Sequence, residues 1–154
     1  MKQYTGLLIL LILIIAGKSN AQDIQDQLLG KWKLTKDEGY LFFINSPDAQ
    51  SRPEDEMEKF YELMDRLHDQ SYKNFFSRDS MTNTILDRTE IIQEKSIWNI
   101  READSVITWQ SKFAPKVLQA KIMKINDKEL VLVYLNRDQS LGRFKTHYEK
   151  VEKN

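Results

Sequence analysis

Residues 28–34 read LLGKWKL, and the alternation that starts there decides the fold. After Gly30, Trp32 and Leu34 point to one side of an extended chain, and Lys31, Lys33 and Thr35 point to the other. A period of two with one apolar side marks a half-buried strand. Upstream, residues 23–29 (DIQDQLL) hold one or two helical turns before Gly30. Downstream, Gly39 breaks the pattern, and residues 40–44 (YLFFI) predict a second strand.

The same texture returns from Tyr72 onward. Residues 72–78, 82–86, 89–95, 96–101, 105–110, 117–125, 130–136 and 143–151 are of strand length and rich in β-branched and aromatic side chains. Turn residues separate several of them, at Arg78-Asp79, Ala103-Asp104, Ala114-Pro115, Asn126-Asp127 and residues 139–142. Segments 105–110 with 117–125, and 117–125 with 130–136, read as hairpins. Many short strands at even spacing predict a mainly β chain, either an up-and-down barrel or a sandwich. No repeat, low-complexity run or interdomain linker divides it.

Between the early and late strands lies one clear helix. Residues 45–52 (NSPDAQSR) form a polar loop. Ser51 and Glu54 then have capping-box spacing, with Pro53 in the first turn, where its missing N–H is harmless. Glu54, Asp55 and Glu56 place negative charge at the positive end of the helix dipole. Met57, Phe60, Tyr61, Met64 and Leu67 fall on one face at helical spacing, which predicts an amphipathic helix at about 53–69 within an insertion at 46–70.

The N-terminus has another character. Lys2 precedes an unbroken apolar run at residues 7–15 (LLILLILII), followed by the short stretch Gly17 to Ala21. Ser19 and Ala21 stand at −3 and −1 of a small-x-small cleavage site, so residues 1–21 read as a cleaved signal peptide and 22–154 as the exported domain. The apolar run is shorter than the roughly 20 residues that span a bilayer. The expected destination is the periplasm, the cell surface or the medium of a Gram-negative bacterium. There is no cysteine, and hence no lipid-anchored lipoprotein, no disulfide and no thiolate metal site. About 133 residues remain after cleavage, enough for one domain.

The 23 basic and 23 acidic residues balance, and loss of Lys2 and Lys18 with the leader leaves a net charge of about −2. A nucleic-acid binder carries a basic face, so no nucleic-acid partner is expected, and no stable membrane insertion after cleavage. His68 and His147 are the only histidines. Neither has a ligand partner at metal spacing, so no metal and no cofactor are expected. The carboxylates around residues 54–62 serve a helix dipole and a wet face. No G-x-S-x-G elbow or phosphate-cradling glycine loop is present, and enzyme activity has no sequence support.

Gly30-Lys31-Trp32, behind Leu28-Leu29 and opening the first strand, resembles the G-x-W start of a lipocalin. LLGKWKL is similar in particular to the small lipocalin-like domains exported by some Gram-negative bacteria. SIWNI (residues 96–100) leading to DSVITW (residues 104–109) looks like the middle hairpin of such domains. LVLVYL (residues 130–135) with FKTHYEK (residues 144–150) looks like their ending. The resemblance covers most of the exported part, and the insertion at 46–70 is long for these domains. It implies a closed, calycin-type β-barrel with a cavity for a small apolar molecule, and Gly30, Trp32 and a late arginine as the structural motif. Arg143 is the only arginine late enough to stack against Trp32. The inserted helix stands where related barrels carry a cover over the open end.

Two readings of the helix stripe follow. Met57, Phe60, Tyr61 and Met64 line a ligand cavity together with Trp98 and Trp109, or the helix packs as an ordinary amphipathic wall. The leading functional expectation is a binding or carrier protein for a small apolar ligand. The alternative is a non-enzymatic envelope protein that docks a protein partner through the insert or a sheet edge. The oligomeric state is open.

Overall fold

The computed structural model describes residues 19–113 and 117–152, with side chains from residue 24 onward. Helix α1 (Ser19–Leu28) precedes strand β1 (Gly30–Asp37). Helices α2 (Glu38–Ile44), α3 (Pro47–Gln50) and α4 (Glu54–Gln70) fill the connection to β2 (Tyr72–Phe75). Then follow β3 (Ser80–Asp87), β4 (Glu90–Arg101), a one-turn 3-10 helix, β5 (Val106–Gln110), β6 (Val117–Ile125), β7 (Glu129–Leu135) and β8 (Leu141–Lys150). Each strand pairs antiparallel with the next, and β8 pairs back with β1. The result is a closed eight-stranded up-and-down barrel, consistent with a calycin or lipocalin-like fold, and it has no free sheet edge. The expected hairpins β4–β5, β5–β6 and β6–β7 all form.

β1 follows its alternation: Trp32 and Leu34 are buried, Lys31 and Lys33 exposed. Trp32 packs with Leu28, Phe75, Met81, Trp98, Ile107, Leu130 and Leu132 in the apolar core that fills the lower barrel. α1 closes this base. Its last carbonyls lack intrahelical partners, and two side chains take them. The Trp32 indole N–H donates to Leu28 O at 2.7 Å, and Lys150 Nζ donates to Gln27 O at 3.1 Å. The Lys150 ammonium also lies 4.9 Å from the Trp32 ring centroid. Gly30 makes the turn from α1 into β1 with φ +117°, and a Cβ there would stand 3.1 Å from Lys150 Cε. The glycine of G-x-W is therefore demanded by backbone conformation and by the cation packed against it.

Three local expectations are corrected. Residues 40–44 are helical, not a strand. The Asp37 carboxylate accepts from the backbone N–H groups of Gly39 and Tyr40, at 2.8 and 3.0 Å, and so starts α2 directly after β1. Strand-forming residue types are overridden because Tyr40 and Phe43, three apart, both meet Phe60 of α4. The Ser51–Glu54 capping box does not form: Pro53 is the cap residue of α4, and Ser51 Oγ donates to Asp48 O. Finally, residues 89–95 and 96–101 belong to one continuous strand, β4. The loop at 45–52 contains the short α3, capped by Ser46. The leader segment 1–18 and the Ala114-Pro115 turn lie outside the described residues, and the expected cleavage junction falls in the first turn of α1. No described helix is long and apolar enough to cross a membrane.

Candidate functional site

The base being plugged, the opposite end of the barrel is where β1 runs into the insert. Two devices hold the insert there. At its start, Glu38 accepts from the Lys145 backbone N–H at 3.1 Å and meets His147 Nε2 at 3.2 Å, tying α2 to β8. The Lys145 N–H and then His147 hold the Glu38 carboxyl below the usual carboxylate range. Phe42 adds a ring contact to Phe144 at 5.1 Å. The second device is a small aromatic core of the insert itself. Phe60 packs on Phe43 at 5.2 Å and on Tyr40 at 6.1 Å, and Arg52 covers the Phe43 ring.

Beneath the C-terminal half of α4 lies a cavity of about 290 Å³. Its walls include Leu34, Leu67, Asn83, Trp109, Tyr134 and Tyr148. That size is at the small end of ligand sites, which run from about 300 to 1,000 Å³. A wider cleft of about 1510 Å³ runs along the outer faces of β1 and β8 and the base loops, past Lys36, Glu129, His147 and Glu149. It lies outside the barrel and is bordered by solvated charges. The inner cavity is the better candidate because buried polar groups lie beside it, with Asn83 and Trp109 in its wall.

Those groups come from inward positions of β2 to β5. Lys73 (2 % exposed), Asn83, Glu94 and Ser96 are buried where the strand period places apolar residues in the lower barrel. Lys73 pairs in register with Asn83, and Asn83 with Glu94, so an ammonium, an amide and a carboxylate form a row across three strands. Lys73 Nζ donates to Asn83 Oδ1 at 2.7 Å. It stands 4.5, 5.8 and 5.9 Å from the ring centroids of Trp109, Tyr134 and Tyr148. Glu94 Oε1 accepts the Lys112 backbone N–H. Glu94 Oε2, Ser96 Oγ and the Trp109 indole N–H are buried without a partner among the described residues. Burial, and then the neighbouring Tyr134, push the Tyr148 phenol well up, so it stays a neutral hydroxyl.

The residues expected from the sequence divide. Trp98 and Trp109 are register partners on β4 and β5 and both face the interior. Only Trp109 lines the cavity; Trp98 lies in the core, edge-on to Phe75 at 4.9 Å, with its N–H on Ser77 O. The stripe on α4 is shared between two tasks. Phe60 fills the core of the insert, Met57 is buried, and Tyr61 is 39 % exposed. Met64 is half-buried and is not part of the cavity wall, whereas Leu67, one turn further, is. Arg143 lies over Phe42 at 4.5 Å and Phe144 at 5.3 Å, and the cation over Trp32 is Lys150. Lys73, Asn83, Glu94 and Ser96 escaped the sequence reading. The signal for them was present: polar residues at the inward parity of otherwise apolar strands. Among the described residues no group of three or more histidine, aspartate or glutamate side chains is placed to hold a metal ion.

No protein-family model matches the chain, and no curated protein matches it significantly.

Proposed function

We propose that this chain is an exported binding or carrier protein, which holds one compact small molecule in the cavity between its barrel and its helical insert. The observation that carries this reading is the barrel's asymmetry. One end is packed with apolar side chains and plugged by α1, while the other keeps about 290 Å³ of space beside the insert, with Trp109 and Tyr148 in its wall. A barrel serving only as a scaffold is filled to the density of a protein interior at both ends. The cavity is too small for a large lipid and suits a ligand with a ring or a short chain. In this reading Leu67 and Ser71, at the end of α4, stand where a molecule passes into the barrel, and the insert acts as a cover. Export rests on the N-terminal leader pattern.

Native mass spectrometry of the protein purified from its own envelope without detergent tests the proposal. A surplus mass that is lost on denaturation supports it. A bare monomer mass, unchanged after exposure to an envelope extract, contradicts it. A second reading, docking of a protein partner by the insert, is favoured by Leu41, Phe42 and Tyr61, exposed at 39, 48 and 39 % on α2 and α4. It gains if the first fails.

A further inference from the structure

We infer that the ligand of this cavity is a small anion, with a carboxylate or an equally compact acidic group seated on the Lys73 ammonium and the indole N–H of Trp109. The inference rests on the binding reading above and adds the chemical class of the ligand.

Lys73 is a buried cation in an unusual position. Among the described residues it forms no ion pair. Of its three donors, one is used on Asn83 Oδ1. Ring faces offset part of the cost of burying a charge, but they leave two N–H groups without an acceptor in the geometry found here. All four groups that surround the ammonium, Asn83, Trp109, Tyr134 and Tyr148, are walls of the cavity. The ammonium therefore lies directly behind the wall that these four residues form, 2 % exposed, and an acidic group entering between their side chains meets its free donors. Trp109 adds a second, independent sign. It is 98 % buried, its indole N–H is unpartnered, and its ring lies against the same ammonium. The Tyr148 hydroxyl adds a neutral group able to donate. An ammonium with free donors and an unpartnered indole N–H on neighbouring side chains fit an acceptor-only group with several lone pairs, which an ionised carboxylate is.

Two carboxylates bear on this charge: Asp37 stands in the cavity wall, with its Oδ1 held by the Gly39 and Tyr40 N–H groups, and Glu94 does not cancel the charge locally. It stands two strands away from Lys73, beyond Asn83, and at the spacing of neighbouring strands that is about 10 Å. One of its oxygens is committed to the Lys112 N–H, and the other is free. The apolar walls Leu34, Leu67 and Leu118 take the rest of the ligand.

The test uses naphthoate and its neutral isostere naphthylmethanol, titrated calorimetrically into the wild-type chain, Lys73→Met and Trp109→Phe. The expected result is that naphthoate binds the wild type at least about tenfold more tightly than the alcohol, a difference of 1.4 kcal/mol. Lys73→Met removes the preference while the alcohol still binds, and Trp109→Phe weakens naphthoate several-fold. Equal affinities in the wild type, or a preference for the alcohol, overturn the anion inference and leave the binding reading standing. The wild-type comparison holds even if a variant fails to fold. If neither probe fits, the molecule retained by envelope-purified protein decides: an anion supports the inference, and a neutral or cationic molecule overturns it. A protein that binds neither probe and retains nothing overturns both readings.

Discussion

Replacing Lys150 by Met removes the cation over Trp32 and keeps an unbranched stem of similar length. Two interactions are lost. The ammonium lies 4.9 Å from the Trp32 ring centroid, and Trp32 is fully buried, which places the contact at about 1–1.5 kcal/mol, between the exposed and desolvated limits. The hydrogen bond to Gln27 O at 3.1 Å contributes about 1 kcal/mol more and caps the end of α1. The expected loss is about 2 kcal/mol. With an m-value of about 2 kcal/mol/M, the urea midpoint falls by roughly 1 M at unchanged m. Arg143→Met is the control. Arg143 stacks on Phe42 and Phe144 at the surface, and an exposed stacked cation of that kind contributes about 0.5–1 kcal/mol in all, so its midpoint moves by at most about half as much. A Trp32→Leu, Lys150→Met double-mutant cycle, which removes the ring as well as the cation, then isolates a coupling of about 1 kcal/mol. The reasoning is refuted if Arg143→Met costs as much as Lys150→Met, or if the cycle shows no coupling.

Three further outcomes follow from the geometry. Gly30→Ala forces φ +117° on a residue with a Cβ and crowds Lys150 Cε, costing about 1–3 kcal/mol; a melting temperature equal to wild type would contradict this. Phe60→Ala removes the ring that joins α4 to Tyr40 and Phe43. Being half-buried, it costs about 1–2 kcal/mol rather than the 3–5 of a core phenylalanine. Hydrogen exchange should quicken in α2 and α4 and stay unchanged in β4 to β8, and equal loss in the strands would count against a separate core in the insert. The third outcome concerns pH. Glu38 is held below its ordinary value of 4.5 by the Lys145 N–H, then by His147, with Lys36 adding a smaller charge contribution. A lowered carboxylate stabilises the fold fully above the unfolded value and loses that contribution as pH falls through the folded one. The Lys145 amide resonance should therefore titrate with a midpoint below 4.5 and become insensitive in Glu38→Gln, whereas a midpoint at or above 4.5 would break the link between α2 and β8.

How far the sequence led can be read from particular residues. The strand at Trp32 and Leu34 and the hairpins from Trp98 onward are plain, because one apolar side per strand is what a barrel wall requires. The helix from Glu54 was legible from its acidic first turn and its apolar stripe. Residues 40–44 misled because five apolar residues in a row carry no period that separates strand from helix. The decision there is made by the Asp37 carboxylate and by Phe60, seventeen residues beyond Phe43. β4 misled for a more informative reason. Glu94 and Ser96 occupy inward positions, so the alternation that continues through Trp98 and Ile100 looked broken at its polar half. The same holds for Lys73 beside Phe75, and Asn83 beside Met81. Sequence rules fail where a chain departs from the economy of its fold, and such departures gather at functional sites. The candidate site was therefore hidden by the very residues that make it one. The exchange of Arg143 for Lys150 over Trp32 is of another kind. The role is set by where the last strand passes the base, and only the register of β8 against β1 fixes that.

That the barrel holds a compact ligand beside its insert is tested most directly by a crystal structure of the protein purified from its native envelope without detergent. The expected result is electron density for a small molecule bounded by Leu67, Asn83, Trp109 and Tyr148, with an acidic group against Lys73. A cavity filled by inward movement of Leu67 and Tyr72, or density confined to the cleft along the outside of β1 and β8, would contradict it.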